Sequence, residues 1–506
     1  MTISTAFLLI LPTSALILSF LNRVSTPAIP EGEEGSKRRL WVGDVCSAWV
    51  AVWVMSFLLM LTDRPWSSLG IGVLLAVLLW AGNAFKVKML AEPLVFSDVF
   101  LAGHALRYPR LYFGYAPKWV WPLLLLSILL LGCIVLAEKP MTTPIAVRNG
   151  LGVLLFLGAV LTVLWLVKGL FCDRLLKIGM LSFNAVKDAS RYTPIGAAFL
   201  HMLWHGRHRM EIRNRFTAKN TPCFIEGKSQ EKSELPHIVL IQAESFCDIA
   251  ALLNRPSVTP TIDRIREEGM SGPLKLDWRG AYTMRSEFAV LTGHAPEELE
   301  TYGFDPYRLA AMIPMESIAT SLKLKGYRTI VWHPNDGRFF DRFHVMPHLG
   351  FDEFRDIEAF KGMQRFGRHV SDEALLTEAA EYLQNAKEPT FLFIITMEAH
   401  GPWDGASFEG AELLNETERY EAHITRLDKG IGAFLRMENR CGPKHVLMMY
   451  GDHCPGLKAL QMRKNIAAQT LWIMKSCPHN EKSQCESVEV EHLSAMLTRN
   501  ISLTKS

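Results

Sequence analysis

Two runs in the first third of the chain, WVWPLLLLSILLLGCIVLA at 119–137 and GLGVLLFLGAVLTVLWLVKGLF at 150–171, carry almost no charge. A helix of about 20 residues spans about 30 Å, the thickness of a bilayer's hydrocarbon core. Inside lipid only a helix or a closed barrel satisfies every backbone N–H and C=O group. A soluble helix of this length normally keeps a polar face, and these two have none. Three further runs, 4–21, 41–61 and 68–85, approach the same length. The chain is therefore expected to begin with a polytopic α-helical membrane domain over residues 1–171, of about five helices. The first run lacks a basic start and is followed by more spans, so it reads as an uncleaved anchor rather than a signal peptide.

Loop charges give one orientation. Loop 22–40 holds Arg23, Lys37, Arg38 and Arg39, and loop 86–118 holds Lys86, Lys88, Arg107, Arg110 and Lys118. The other two loops hold only Arg64, and Lys139 with Arg148. The positive-inside rule makes the first pair cytoplasmic, and with five spans the C-terminal part then lies inside as well. Residues 172–235 read as a connecting region. Its stretch HMLWHGRHRMEIRNRF at 201–216 mixes Trp204 and Phe216 with Arg207, Arg209, Arg213 and Arg215. That composition suits a helix on anionic headgroups, or a solvated connecting helix. A polar linker follows. The net charge of +3 gives no reason to expect a nucleic-acid partner. Cys477 and Cys485, in CPHNEKSQC, either close a small loop in an oxidising compartment or remain free thiols.

From residue 236 to 506 strand and helix signals alternate. HIVLIQAES, YRTIVWHP, TFLFIITMEAHG and HVLMMYGDH are short apolar runs, and DEALLTEAAEYLQNA is an amphipathic helix. In ERYEAHITRLDKGIGAFLRM, residues Ile424, Leu427, Ile431 and Phe434 share one helical face. This pattern predicts an α/β domain around a central, mostly parallel sheet, whose ligands collect beyond the carboxyl ends of the strands. Those ends carry Glu244, His333, Glu398, His400, Asp452 and His453. Carboxylates and imidazoles together suit a divalent ion such as Mn²⁺ or Zn²⁺. His333 also reads as a structural histidine with its partners satisfied, and Asp428 and Glu398 as solvated or capping groups. Thr283, in RGAYTMRSEFAVLTG, stands at a helix start. It is either an N-cap or a hydroxyl nucleophile favoured by the helix dipole and a bound metal.

The order Glu244, Thr283, FFDR at 339–342, His400 and GDH at 451–453 resembles the lipoteichoic acid synthase group of phosphoglycerol transferases, within the sulfatase and alkaline phosphatase superfamily. KMLAEPLVFSDVFL at 88–101 resembles that group's membrane region. The resemblance implies a C-terminal sulfatase-like catalytic domain at 236–506. It also implies metal ligation, usually of Mn²⁺ and otherwise of Zn²⁺ or Mg²⁺, by Glu244, Thr283, Asp452 and His453, with Thr283 the nucleophile. Arg342 matches a headgroup-binding arginine and His400 the histidine near the transferred group. Phe340 stands where the group often has tryptophan, so the contact with glycerol is expected to differ there. The sulfatase signature Cys/Ser-x-Pro-x-Arg is absent, since Met284, Arg285 and Ser286 follow Thr283. That argues against formylglycine chemistry.

The implied reaction moves phosphoglycerol from phosphatidylglycerol to a glycan or polyol acceptor through a covalent intermediate on Thr283. The implied place is the bacterial cytoplasmic membrane, with the catalytic domain facing the periplasm or exterior, against the loop charges. Three alternatives stay open at this point: phosphoethanolamine transfer to lipid A or a glycan, phosphodiester hydrolysis, and a membrane-anchored binding protein with a decayed enzyme domain.

Overall fold

The first four apolar runs form helices. The computed structural model describes residues 3–28, 39–100, 120–141, isolated positions from 144 to 162, 181–217, 235–276, 278, 280–438, 445–461, 469–476 and 484–503. The chain divides into two units, Met1–Glu211 and Ile212–Ser506. In the first, α1 (Ile3–Val24), α2 (Leu40–Thr62), α3 (Pro65–Leu90) and α4 (Val120–Ala137) coincide with the first four apolar runs. Among the described residues α2, α3 and α4 are long and apolar enough to cross a membrane, with mean hydropathies of 2.0, 1.9 and 2.7, and the apolar part of α1 is shorter. No residue of α4 is buried within the protein, which leaves its leucines to face lipid. Most of the fifth run, 150–171, lies outside the described residues.

Polar side chains in this unit pair with one another, as a low-dielectric setting requires. Asn22 donates to Ser47 and to Thr193, and Lys86 pairs with Asp98 at 2.7 Å. Two helices follow, α5 (Ala185–Tyr192) and α6 (Pro194–Phe216). Residues 201–216 are thus helical, with Arg207, Arg209 and Arg215 exposed. Linker residues 218–234 and Cys477, which the sequence offers either as a partner of Cys485 or as a free thiol, lie outside the described residues.

The second unit is built on β1 (His237–Ala243), α7 (Pro260–Glu268), β2 (Met270–Lys275), α8 (Thr283–Thr292), β3 (Arg328–Trp332), β4 (Glu353–Arg355), α9 (Asp372–Gln384), β5 (Thr390–Ile395), α10 (Glu416–Glu438), β6 (His445–Gly451), β7 (Gln469–Ser476), β8 (Gln484–Cys485), β9 (Val488–Glu489) and α11 (Leu493–Leu503). Among the described residues nine strands form one sheet in the order β8-β2-β7-β6-β1-β5-β3-β4, with β9 also on β2. Pairs β6–β1, β1–β5, β5–β3 and β3–β4 are parallel, whereas β7 runs antiparallel to both β6 and β2.

The expected mostly parallel sheet is present, and all residues of β1, β5 and β6 are buried. That explains their continuous apolar sequences, since both faces of the central strands are covered. On one face Val239, Ile241, Leu392, Ile394, Leu447 and Met449 share a core with Leu376 of α9 and Ile424, Leu427, Ile431 and Phe434 of α10. The helical face read from the sequence is the buried one. Asp428 and Glu398 are buried and act as caps rather than solvated groups. Asp428 accepts from Thr261 N and Ile262 N at the start of α7, and Glu398 accepts from Asp372 N at the start of α9.

At the amino ends of the strands, Thr390 N donates to His237 Nδ1 at 3.1 Å, so that nitrogen must stay unprotonated. Burial, with the neighbouring His445, pushes His237 down to about 4 from 6.5. As pH falls below 6.5 the unfolded chain takes up the proton first, so this contribution to stability is lost between pH 6.5 and pH 4. In His237→Gln the amide keeps an acceptor while the titration disappears. The unfolding midpoint of the full-length protein in detergent is expected to drop less between pH 6.5 and pH 4 in His237→Gln than in the wild type. An equal drop would contradict this assignment.

Candidate metal centre

Strands β1 and β6 are paired in parallel from His237↔His445 to Ala243↔Gly451. The residues that follow each strand, Glu244 and Asp452, therefore leave the sheet side by side. Gly451 is required there, because a Cβ would lie 1.9 Å from the Phe246 carbonyl oxygen. Ser245, at φ +52°, turns the chain so that its N–H donates to Asp452 Oδ1 at 2.8 Å. His453 N donates to the same oxygen at 2.9 Å. Asp452 Oδ2, fully buried, has no hydrogen-bond partner among the described residues.

Three side chains converge on that oxygen's side. Glu244 Oε1 accepts from Ser245 Oγ at 2.8 Å. His453 Nδ1 lies 3.1 Å from the Cys454 carbonyl oxygen, which assigns the proton to Nδ1 and turns the Nε2 lone pair inward. Nε2 sits 3.4 Å from both Glu244 Oε1 and Asp452 Oδ2. One ligand atom from each of the three residues lies within 4.8 Å of the others, and all three residues are buried. The half-buried Thr283 opens α8, close enough to Asp452 for its hydroxyl to favour the ionised carboxylate.

Two buried carboxylates need a compensating charge. Within the protein alone His453 supplies it: burial would lower its pKa, but Asp452 and Glu244 outweigh burial and push it to about 10. Burial carries Asp452 up to about 7, with His453 opposing and Glu244 adding. Burial would also raise Glu244, but the His453 hydrogen bond and the charges of His400 and His453 bring it down to about 2. A divalent cation would replace the proton on His453. Two carboxylates, an imidazole and a hydroxyl, with Oδ2 left over, fit such an ion.

Beside these residues lies a buried ion pair that escapes sequence reading. Arg342, 1% exposed, meets Glu287 through Nη2 at 2.9 Å and Nε at 3.2 Å. Burial works against the Arg342 charge and Glu287 more than restores it, so its pKa is raised. Glu287 also accepts from Tyr307 Oη and from Gln242 Nε2, and Tyr450 Oη donates to Gln242. Glu287 stands one helical turn after Thr283 on α8, and so on the same face. One helix thus sets the nucleophile candidate and the anchor of Arg342 at a fixed spacing. The one visible signal in sequence is that Gln242, Glu287 and Tyr450 are polar positions inside apolar runs.

Phe340, at φ +58°, lies with its ring centroid 5.3 Å from the Arg342 guanidinium. His400 is half-buried, with Nδ1 2.7 Å from the Gly401 carbonyl oxygen, and its ring lies 5.9 Å from that of His369. His333 departs from the satisfied structural histidine the sequence suggests. Its Nδ1 meets the Ile395 carbonyl oxygen at 3.1 Å, but Nε2 is buried without a hydrogen-bond partner among the described residues. Burial and then the Arg342 charge hold its pKa well below the usual value, so Nε2 presents a lone pair. His344 and His348 are occupied elsewhere, by Asp341 and by the Ala310 carbonyl oxygen.

The family model described as Sulfatase matches residues 236–482. The globular domain belongs to the sulfatase family. The chain is 28% identical over 390 residues to the capsular polysaccharide biosynthesis protein RkpI of Rhizobium meliloti, covering 74% of this chain and 70% of that one. It is 26% identical over 138 residues to lipoteichoic acid synthase 1 of Bacillus subtilis, covering 26% of this chain and 22% of the relative. A solved structure of lipoteichoic acid synthase LtaP from Listeria monocytogenes superimposes with a TM-score of 0.44 at 20% identity, over 56% of this chain and 74% of that one. The sulfatase-family domain is of the lipoteichoic acid synthase-like kind within the sulfatase and alkaline phosphatase superfamily, as the sequence resemblance implies. Together with the apolar helices, this makes the chain a membrane-anchored enzyme.

Glu287→Ala leaves the buried Arg342 charge unpaired, which is expected to cost about 3–5 kcal/mol of stability. A Glu287→Leu/Arg342→Met double variant should regain most of that loss, because the uncompensated charge is gone, yet remain inactive. Chemical denaturation of the full-length protein reads the first effect. Full stability in Glu287→Ala would show that Glu287 does not hold Arg342.

Proposed function

We propose that this enzyme transfers phosphoglycerol from phosphatidylglycerol to a hydroxyl of a glycan or polyol, by double displacement through Thr283. The observation that carries the reading is that α8 opens with Thr283, beside the Glu244, Asp452 and His453 cluster, one helical turn from the Glu287 that pairs with Arg342. One helix thus carries the nucleophile and the anchor of an anion-binding cation, the two groups a phosphodiester requires.

Glu244, Thr283, Asp452 and His453 would hold a divalent ion, with Mn²⁺ the proposed species. When bound, the ion supplies Lewis acidity and lowers the pKa of the Thr283 hydroxyl. The hydroxyl proton passes to solvent water as Thr283 Oγ attacks phosphorus. Arg342 balances the charge that gathers on the phosphoryl oxygens, and Glu287 keeps its guanidinium from turning away. His400 protonates the departing diacylglycerol alkoxide. Phe340 covers the guanidinium and meets the glycerol carbons, and the free Nε2 of His333 accepts from a glycerol hydroxyl. In the second half an acceptor hydroxyl attacks the same phosphorus, its proton passes to His400, and Thr283 leaves as alkoxide to recover its own proton. The relative named for capsular polysaccharide biosynthesis supports a glycan acceptor. A lipid donor gives the membrane unit its purpose, and a domain facing the periplasm or exterior gives an envelope glycan access to the site.

Mass spectrometry of the full-length protein after incubation with phosphatidylglycerol and Mn²⁺ tests this reading. An adduct of about 154 Da, absent in Thr283→Ala, is the expected result. An adduct formed only with phosphatidylethanolamine would move the reading to phosphoethanolamine transfer. Water-dependent release of glycerol phosphate with no transfer to any added glycan would move it to hydrolysis.

A further inference from the structure

His369 has no part in the chemistry above, yet two chain segments hold it beside His400. It sits in a short antiparallel hairpin, Arg365–Phe366 with His369–Val370, just before α9. His400 stands on the loop that follows β5. The two segments are tied on both sides of the histidines. Asp372 N donates to Glu398 Oε2 at 2.6 Å, and Glu398 N donates to Asp372 Oδ1 at 3.4 Å. On the other side Arg368 Nη2 donates to both carboxylate oxygens of Asp404 at 2.9 Å, and Nη1 donates to the Pro402 carbonyl oxygen at 3.2 Å. Phe366 stacks on Phe408 with ring centroids 4.7 Å apart. Gly367, at φ +61°, passes so close to the His400 loop that a Cβ would lie 2.0 Å from the Ser407 carbonyl oxygen. Held this way, the rings of His369 and His400 lie 5.9 Å apart between centroids. His400 Nδ1 faces the Gly401 carbonyl oxygen, which leaves Nε2 as its working nitrogen. The half-buried His369 side chain makes no hydrogen bond among the described residues.

We propose that His369 binds the acceptor in the second half-reaction, receiving a hydrogen bond from the hydroxyl on the carbon next to the one whose hydroxyl attacks phosphorus. This rests on the transferase reading above. The attacking hydroxyl has a single proton, which passes to His400, so it has none left to give His369. A second hydroxyl on the adjacent carbon does. The gap between the rings suits such a pair, being too wide for a bond between the imidazoles and open to substrate oxygens that meet one ring each. Burial, and then the charge of His400, carry His369 down to about 3, so it keeps a lone pair while His400 gains and loses its proton. No proton moves to His369 and no covalent bond forms there. The ties from Asp372 to Glu398 and from Arg368 to Asp404 fix the spacing of the two rings, so the pair is organised before the acceptor arrives. The acceptor class is then a glycan or polyol with hydroxyls on adjacent carbons. Water, or an alcohol whose hydroxyl has no such neighbour, lacks this contact.

The test follows discharge of the Thr283 adduct, already formed from phosphatidylglycerol on the full-length protein in detergent, to glycerol or to 1,3-propanediol at equal concentration. Both acceptors carry primary hydroxyls, and only glycerol has a hydroxyl on the adjacent carbon. Wild-type protein is expected to discharge to glycerol about fivefold or more faster than to 1,3-propanediol. His369→Phe keeps a ring in place without an acceptor nitrogen and should bring the two rates together. His369→Gln keeps an acceptor and should hold part of the preference. Equal rates in the wild type, the full preference in His369→Phe, or a preference in His369→Gln no greater than in His369→Phe would each overturn the proposal. The ratio is read within one protein, so a variant of low overall activity still answers. Failure of the underlying reading looks different. Wild-type protein that forms no Thr283 adduct contradicts the transfer itself and removes this role with it, whereas an adduct discharged without preference contradicts His369 alone.

Discussion

The site depends on the parallel register of two neighbouring strands. β1 and β6 run together for seven residue pairs and stop at Ala243↔Gly451, so whatever the chain places next on each strand must meet. It places Glu244 on one and Asp452 with His453 on the other. Strands of such a buried sheet have no polar outlet along their length, and the carboxyl ends are where polar side chains can gather. Gly451 lets the Phe246 backbone pass directly over β6, and Ser245 accepts a left-handed conformation to bring its N–H to Asp452. With Oδ1 held by two amides, Oδ2 is left facing Glu244 and His453.

A second constraint sets what this cluster can act upon. Helix α8 starts at Thr283 and carries Glu287 one turn later, so the candidate nucleophile and the carboxylate that fixes Arg342 belong to one rigid element. Arg342 is buried and would be costly without Glu287. The pair therefore holds a cation inside the protein at a set distance from a hydroxyl, which suits a phosphodiester with one charged oxygen pair. Tyr307, Gln242 and Tyr450 complete the bonds around Glu287 and keep it from serving any other partner.

Much of this was legible in sequence, because the signals were local. The first four apolar runs, the central strands and the buried face of α10 follow from length and periodicity, and the polar residues at strand ends stand out against apolar runs. What was not legible depends on pairs remote in sequence. Glu287 and Arg342 are 55 residues apart, and neither residue's neighbours announce the other. The His333 ring reads as an ordinary core histidine until Nε2 is found without a partner. β2, MSGPLK, carries a glycine and a proline that weaken any strand pattern, so the antiparallel side of the sheet has no clear mark. The loop charges and the family resemblance give opposite orientations for the domain, and sequence weighs them without geometry to arbitrate.

Metal analysis of the purified full-length protein tests the central claim most directly. Wild-type protein is expected to hold about one divalent ion per chain, with Glu244→Gln and His453→Gln losing it while keeping their helical content. Wild-type protein free of metal that still forms a covalent adduct on Thr283, or folded variants that retain the ion, would contradict a metal centre built from these residues.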